Sequence, residues 1–291
     1  MATQDKNGKI RGKINNIVYR ELGDKQVMQI APARVKQTYA TKLNSMEFGL
    51  VSTQAKVLRD VFSGLYEEAD GKMAARLTAA VSTCIRTSEK DIGERNLHDA
   101  DLAPLKGFEF NTDAPFEKLV AVQPSFRVLP NGQFEFSLPR FNVMEDIRYP
   151  SGIVRYHPSF LIAITAFHFR EEYSRIIDKK VFDFKNIDQQ VNIDWSSSRR
   201  LPKGAIVIVT FSLRYLSTNW AGRRVQVTDK AFYPTIILEA FHVTDEMVAL
   251  GKEAGFSIPT SYISEFGNNT NQILKDIARF KEKMTKEKNK S

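Results

Sequence analysis

Pro158-Ser159-Phe160-Leu161-Ile162-Ala163-Ile164-Thr165-Ala166-Phe167-His168-Phe169-Arg170 is the stretch whose reading decides the fold. Strand alternation puts Phe160, Ile162, Ile164 and Ala166 on one face and Leu161, Ala163, Thr165 and Phe167 on the other. Both faces are apolar apart from one Thr. Such a strand must be covered on both sides, which places it at the centre of a layered β structure. Candidate neighbours surround it. Residues 205–216 and 232–243 are further apolar runs, and residues 190–195 alternate as a half-buried strand. Residues 119–129 and 133–138 flank Pro130-Asn131-Gly132, a hairpin signal because Asn-Gly tolerates positive φ. Twenty Phe and nine Tyr enrich the chain in strand formers. An antiparallel β-sandwich over residues 106–243 is the expectation.

Away from this region the period changes to helical. Val51, Leu58, Phe62 and Leu65 recur beside Ala55, and residues 67–71 break the pattern, with Asp70 placed to cap a second helix. Met73, Leu77, Ala80, Cys84 and Ile85 form the stripe of that helix, so residues 43–105 read as an αα-hairpin. Residues 244–291 read as C-terminal helices: Thr244 caps one start, and Ile273, Ile277, Phe280 and Met284 form a stripe among lysines. The expected class is therefore mostly β, α+β.

Residues 1–42 read as a basic hairpin and extended arm. Residues 13–20 form one strand, residues 21–24 turn, residues 25–30 return, and Ala31-Pro32-Ala33 ends the pairing. An isolated two-stranded hairpin is marginal in water, so this one needs a partner surface.

Charge is concentrated at the ends. The chain carries +8 overall, yet residues 1–42 alone hold nine Lys/Arg against three carboxylates, and residues 275–291 hold seven against three. Basic ends either neutralise phosphates or complement an acidic surface, or they are solvated segments that keep the chain in solution. In the arm, charges alternate with apolar residues, which selects Arg11, Lys13, Tyr19, Arg20, Lys25, Arg34 and Lys36 as candidate partner-binding residues. Trp220 beside Arg223 and Arg224, in a polar loop, is a second candidate patch, since Trp and Arg are favoured at hot spots. A Trp folded back over the end of the sandwich is the plainer alternative.

Catalytic and metal motifs do not emerge. Cys84 is the single cysteine, so neither an intrachain disulfide nor a thiolate cage can form. Gly8-Lys9-Ile10-Arg11-Gly12-Lys13 lacks the glycine spacing and the Ser/Thr of a phosphate loop. His98, His157, His168 and His242 are never spaced as a helical ligand pair; His168 and His242 fall in strands, where a metal site across neighbouring strands is geometrically open but not expected. No cofactor is expected. With neither a signal-peptide pattern nor an apolar run of about 18 residues, the expected setting is the cytoplasm or an assembly formed from cytoplasmic subunits.

Gly12-Lys13-Ile14-Asn15-Asn16-Ile17-Val18, Gly23-Asp24-Lys25-Gln26, Ala31-Pro32, Val35 and Thr38 together resemble the opening of a family of uncharacterised Bacteroidota proteins. Those begin with a Gly-Lys-(Ile/Val)-Gly-Asn-x-Val hairpin, a Gly-Lys-Gln turn and a Pro-x-x-Val-x-x-Thr arm, and continue into helices and a β-sandwich region. Asn15 stands where the family has Gly, and Asp24 interrupts the Gly-Lys pair. The resemblance implies architecture and brings no catalytic residue.

The functional expectation is a non-enzymatic structural or interaction protein that assembles with itself, as a homo-oligomer, or with another protein through the arm. The alternative is a nucleic-acid-binding protein that uses both basic ends. An enzyme with a site assembled from distant strands is the third class.

Overall fold

This computed structural model describes residues 2–31, 37–66, 69–150, 156–185, 187–218, 221–227, 229–250, 263–265 and 270–288. The chain divides into two compact units, Met1–Lys42 and Leu43–Ser291.

The first unit is an antiparallel meander of β1 (Thr3–Gln4), β2 (Ile10–Ile14), β3 (Ile17–Leu22) and β4 (Lys25–Ile30), in that spatial order. Here the structure departs from the single strand expected over residues 13–20. Asn15 has φ 50°, and Ile14 pairs with Ile17 across a two-residue turn at Asn15-Asn16. Asn is one of the few non-glycine residues that enters this left-handed region readily.

The second unit is built on β7 (Tyr156–His168). In chain order it contains α1 (Tyr39–Phe62, which starts at the end of the first unit), α2 (Met73–Arg86), α3 (Phe116–Leu119), β5 (Ser125–Val128), β6 (Phe134–Phe141) and α4 (Val143–Asp146). After β7 come β8 (Tyr173–Asp183), β9 (Val191–Ser197), β10 (Ile206–Thr218), β11 (Arg224–Gln226), β12 (Thr235–His242), α5 (Asp245–Leu250), β13 (Ile263–Glu265) and α6 (Thr270–Lys288). The larger sheet runs β11-β10-β7-β8-β13, with β12 also paired to β10, and the smaller runs β5-β6-β9. All pairings are antiparallel. The mostly β, α+β class is evident from this arrangement.

The doubly apolar run of β7 is buried from Pro158 to His168, as its alternation requires. One face meets the smaller sheet. Phe211 of β10 sits at the centre, with ring centroids 5.2 Å from Phe116, 5.1 Å from Phe136 and 5.0 Å from Phe160. On the other face, Phe167, Ile206 and Ile208 join Leu58, Phe62, Leu77 and Val81 of α1 and α2 in a second core. Helices, large sheet and small sheet thus form three layers, each apolar face covered by its neighbour. Cys84 lies in the helical layer, where burial pushes its thiol up to about 12, so it packs as a small apolar residue.

Local chemistry sets the element boundaries. Thr38 Oγ1 accepts the Thr41 N–H at 3.2 Å, which starts α1 ahead of its apolar stripe. Gly132 has φ 73° in the turn between β5 and β6, as its Asn-Gly signal predicts. The expected strand over residues 119–129 is confined to β5; upstream, α3 ends at Leu119 and Val120 makes an isolated bridge to Ile147. Gly93 has φ 86°, and a Cβ there would lie 2.4 Å from Ile277 Cγ2. The glycine therefore lets Ile277, fully buried, seat α6 against the loop after α2.

Candidate interaction surface

The arm sheet is assembled from short turns, each with a visible cause. Asp5 Oδ1 accepts the Asn7 and Lys9 N–H groups at 2.9 Å, closing the turn between β1 and β2. Gly23, with φ 60°, turns β3 into β4, and Leu22 pairs with Lys25. Gly12, with φ 112°, occupies β2 opposite Tyr19.

Register assigns the faces. Ile14, Ile17 and Ile30 form one cross-strand row, and Tyr19 with Met28 the next, all on one face. Ile14 is 47% exposed, Ile17 37%, Met28 62% and Ile30 74%, and none of the described residues 2–31 is buried. This sheet has strands but no core. Lys13, Val18, Arg20, Leu22, Lys25 and Val27 share the opposite face.

The cations of the arm fall into two groups. Arg11 meets Glu21 at 2.5 Å and Lys9 meets it at 3.6 Å. The hydrogen bond from Arg11 holds the Glu21 carboxyl below its ordinary value. Arg20 donates to Gln29 Oε1 at 2.7 Å. Among the described residues, Lys13, Arg20 and Lys25 make no ion pair within 4.0 Å. Arg34, Lys36 and Trp220 lie outside the described residues. Arg223 and Arg224 belong to the second unit, where Arg224 of β11 meets Asp183 at 3.4 Å. Register therefore brings Lys13, Arg20 and Lys25 onto one face and Tyr19 onto the other.

The turn makes a direct prediction. Asn15→Gly is expected to leave the arm unchanged, whereas Asn15→Val is expected to weaken it by about 1–2 kcal/mol through the left-handed backbone. Faster amide exchange at Ile17 and Tyr19, which face β2, in Asn15→Val but not in Asn15→Gly is the measurement that checks it.

In the second unit three of the four histidines converge. His98 and His168 have ring centroids 5.3 Å apart. His98 Nε2 accepts the Phe169 N–H at 2.9 Å, His168 Nδ1 accepts the Glu171 N–H at 3.1 Å, and His242 Nε2 lies 2.8 Å from the Ala100 carbonyl. The first and third of these bonds fasten the segment after α2 to the ends of β7 and β12, and the second closes the turn after β7. Sequence placed His168 and His242 in strands but gave no sign that His98 would join them. Among the described residues no group of three or more His, Cys, Asp or Glu is arranged to hold a metal ion. Nor is any described helix long and apolar enough to cross a membrane.

Compared with known proteins, the chain matches no family model, no curated protein and no solved structure.

Proposed function

We propose that this is a non-enzymatic structural or interaction protein that assembles, with itself or with a protein partner, through its basic N-terminal arm, as a cytoplasmic component or within an assembly of cytoplasmic subunits. One observation carries the reading: the arm is a four-stranded sheet in which no described residue is buried and one face is lined by Ile14, Ile17, Tyr19, Met28 and Ile30. A sheet gains independent stability from an apolar face packed on something else. Fully burying one Ile or Met side chain releases about 1.5–3 kcal/mol, so a few such side chains are enough to offset a substantial share of the cost of association. The edge of β4 adds backbone donors and acceptors suited to strand addition.

The test is molar mass by light scattering after size exclusion, at low and high salt, for the natural chain and for Met28→Ser/Ile30→Ser. The natural chain is expected to form a defined species whose mass survives salt, and the double variant to fall to the monomer with an unchanged thermal transition of the second unit. A natural chain that is monomeric alone assigns the apolar face to a protein partner. A double variant that keeps the natural mass and the natural partners overturns the reading.

A further inference from the structure

We infer that the face of the arm opposite its apolar side binds the phosphate backbone of duplex nucleic acid, through a straight line of cations formed by Lys13, Arg20 and Lys25. This goes beyond assembly through the arm, because it uses other residues and a ligand of other chemistry.

The line is a consequence of register. Lys13 pairs with Val18, two residues before Arg20 on the same face of β3; Arg20 pairs with Val27, two residues after Lys25 on the same face of β4. Each cation is thus one strand over and two residues along from the last. Such diagonal neighbours lie about 7–8 Å apart. Three monocations spaced evenly in this way match a run of evenly spaced monoanions better than the scattered carboxylates of a folded protein surface. Among the described residues none of the three makes an ion pair: Arg20 donates to the neutral Gln29 amide, and the one carboxylate of the sheet strands, Glu21, is engaged by Arg11 and Lys9.

The same face selects the form of the nucleic acid. Recognition of unpaired bases depends on aromatic side chains on which they stack. Between the cations lie Val18, Leu22 and Val27, and Tyr19, the aromatic residue of the sheet strands, is on the other side. What is left is contact with phosphates, which is independent of sequence and driven by counterion release.

The experiment is fluorescence anisotropy of a short random-sequence DNA duplex with the full-length protein across a salt series. Each phosphate neutralised contributes about −0.9 to the slope of log K against log salt, so the three arm cations together supply about −2.7. Lys13→Gln, Arg20→Gln and Lys25→Gln are each expected to make the slope shallower by about 0.9. Lys275→Gln and Lys286→Gln in α6 are expected to leave it unchanged, which separates the arm from the general positive charge of the chain. Met28→Ser/Ile30→Ser is expected to keep the slope per chain even where it loses assembly, so failure of this inference and failure of the assembly reading are told apart. No duplex binding at low salt, arm variants with the natural slope, or an equal change in the α6 variants would each overturn the inference. So would binding confined to single strands or to vesicles of anionic lipid.

Discussion

Arg95→Ala is expected to lower the stability of the second unit by about 3 kcal/mol at neutral pH, read by chemical denaturation. Arg95 holds Glu47 of α1 with both arms of its guanidinium, Nε at 2.9 Å and the terminal nitrogen at 2.8 Å, and the Gly93 N–H donates to the same carboxylate at 2.9 Å. Glu47 is 7% exposed. Burial acts most strongly on its carboxyl and pushes it up, but Arg95 and the Gly93 N–H together outweigh that and hold it below the ordinary value. Breaking a buried pair by removing one partner costs about 3–5 kcal/mol, and the Arg95 side chain keeps 15% exposure, which places this pair at the low end.

The pH dependence distinguishes this mechanism from simple loss of packing. In the natural protein a depressed carboxyl contributes stability above its unfolded value, and that stability is lost as pH falls. Without Arg95 the burial is opposed only by the Gly93 N–H and the charge of Arg86, the folded value rises, and stability missing at neutral pH returns as pH drops through it. The gap between natural and variant proteins should therefore narrow on acidification, and Glu47→Gln added to Arg95→Ala should recover much of the loss. A gap independent of pH, or a double variant no better than the single one, would mean that the ion pair is not the cause.

How far the sequence could be read varies with the range of the interaction. The centre of the body was legible because β7 needs cover on both faces, a property of thirteen consecutive residues. The α1 and α2 stripes and the Gly132 turn are equally local. The α6 stripe around Ile277 could be read as apolar, but not its target, because Gly93 is far away in the chain and becomes a seat only through its φ of 86°. In the arm the difficulty was phase. A single strand over residues 13–20 puts Ile14 and Ile17 on opposite faces. The Asn15-Asn16 turn makes them direct cross-strand partners and so creates the apolar row. Two residues of turn chemistry thus decide whether Ile14 and Ile17 fall on opposite faces or side by side on the face opposite Lys13, Arg20 and Lys25, and the proposed division of labour depends on the second. Charge and alternation alone do not distinguish Arg11, which is occupied by Glu21, from Lys13, Arg20 and Lys25, which form a line.

Mild acid is expected to destabilise the second unit through His98, by about 3 kcal/mol between pH 7 and pH 4. Burial is the largest cause that moves the His98 imidazole down to about 4; the neighbouring His168, Arg170 and His242 lower it further, and Asp99 opposes them. Asp99 is itself held by Lys90 at 2.7 Å and Arg170 at 3.3 Å, so its help is divided. The folded chain keeps His98 neutral because Nε2 must accept the Phe169 N–H, and a protonated ring has no acceptor there. With the folded value below the unfolded one, the unfolded chain binds the proton first. The contribution is intact above an ordinary imidazole value near 6.5 and is lost as pH falls from there towards about 4. His98→Gln retains an acceptor for Phe169 without a group that titrates in this range. Denaturation curves collected across these pH values should therefore fall more steeply for the natural protein than for His98→Gln, with the two converging as pH drops. Parallel curves would place the acid sensitivity elsewhere and leave His98 as a packing residue, while convergence would show that the strut between the α2 loop and the end of β7 loosens at a pH set by one buried ring.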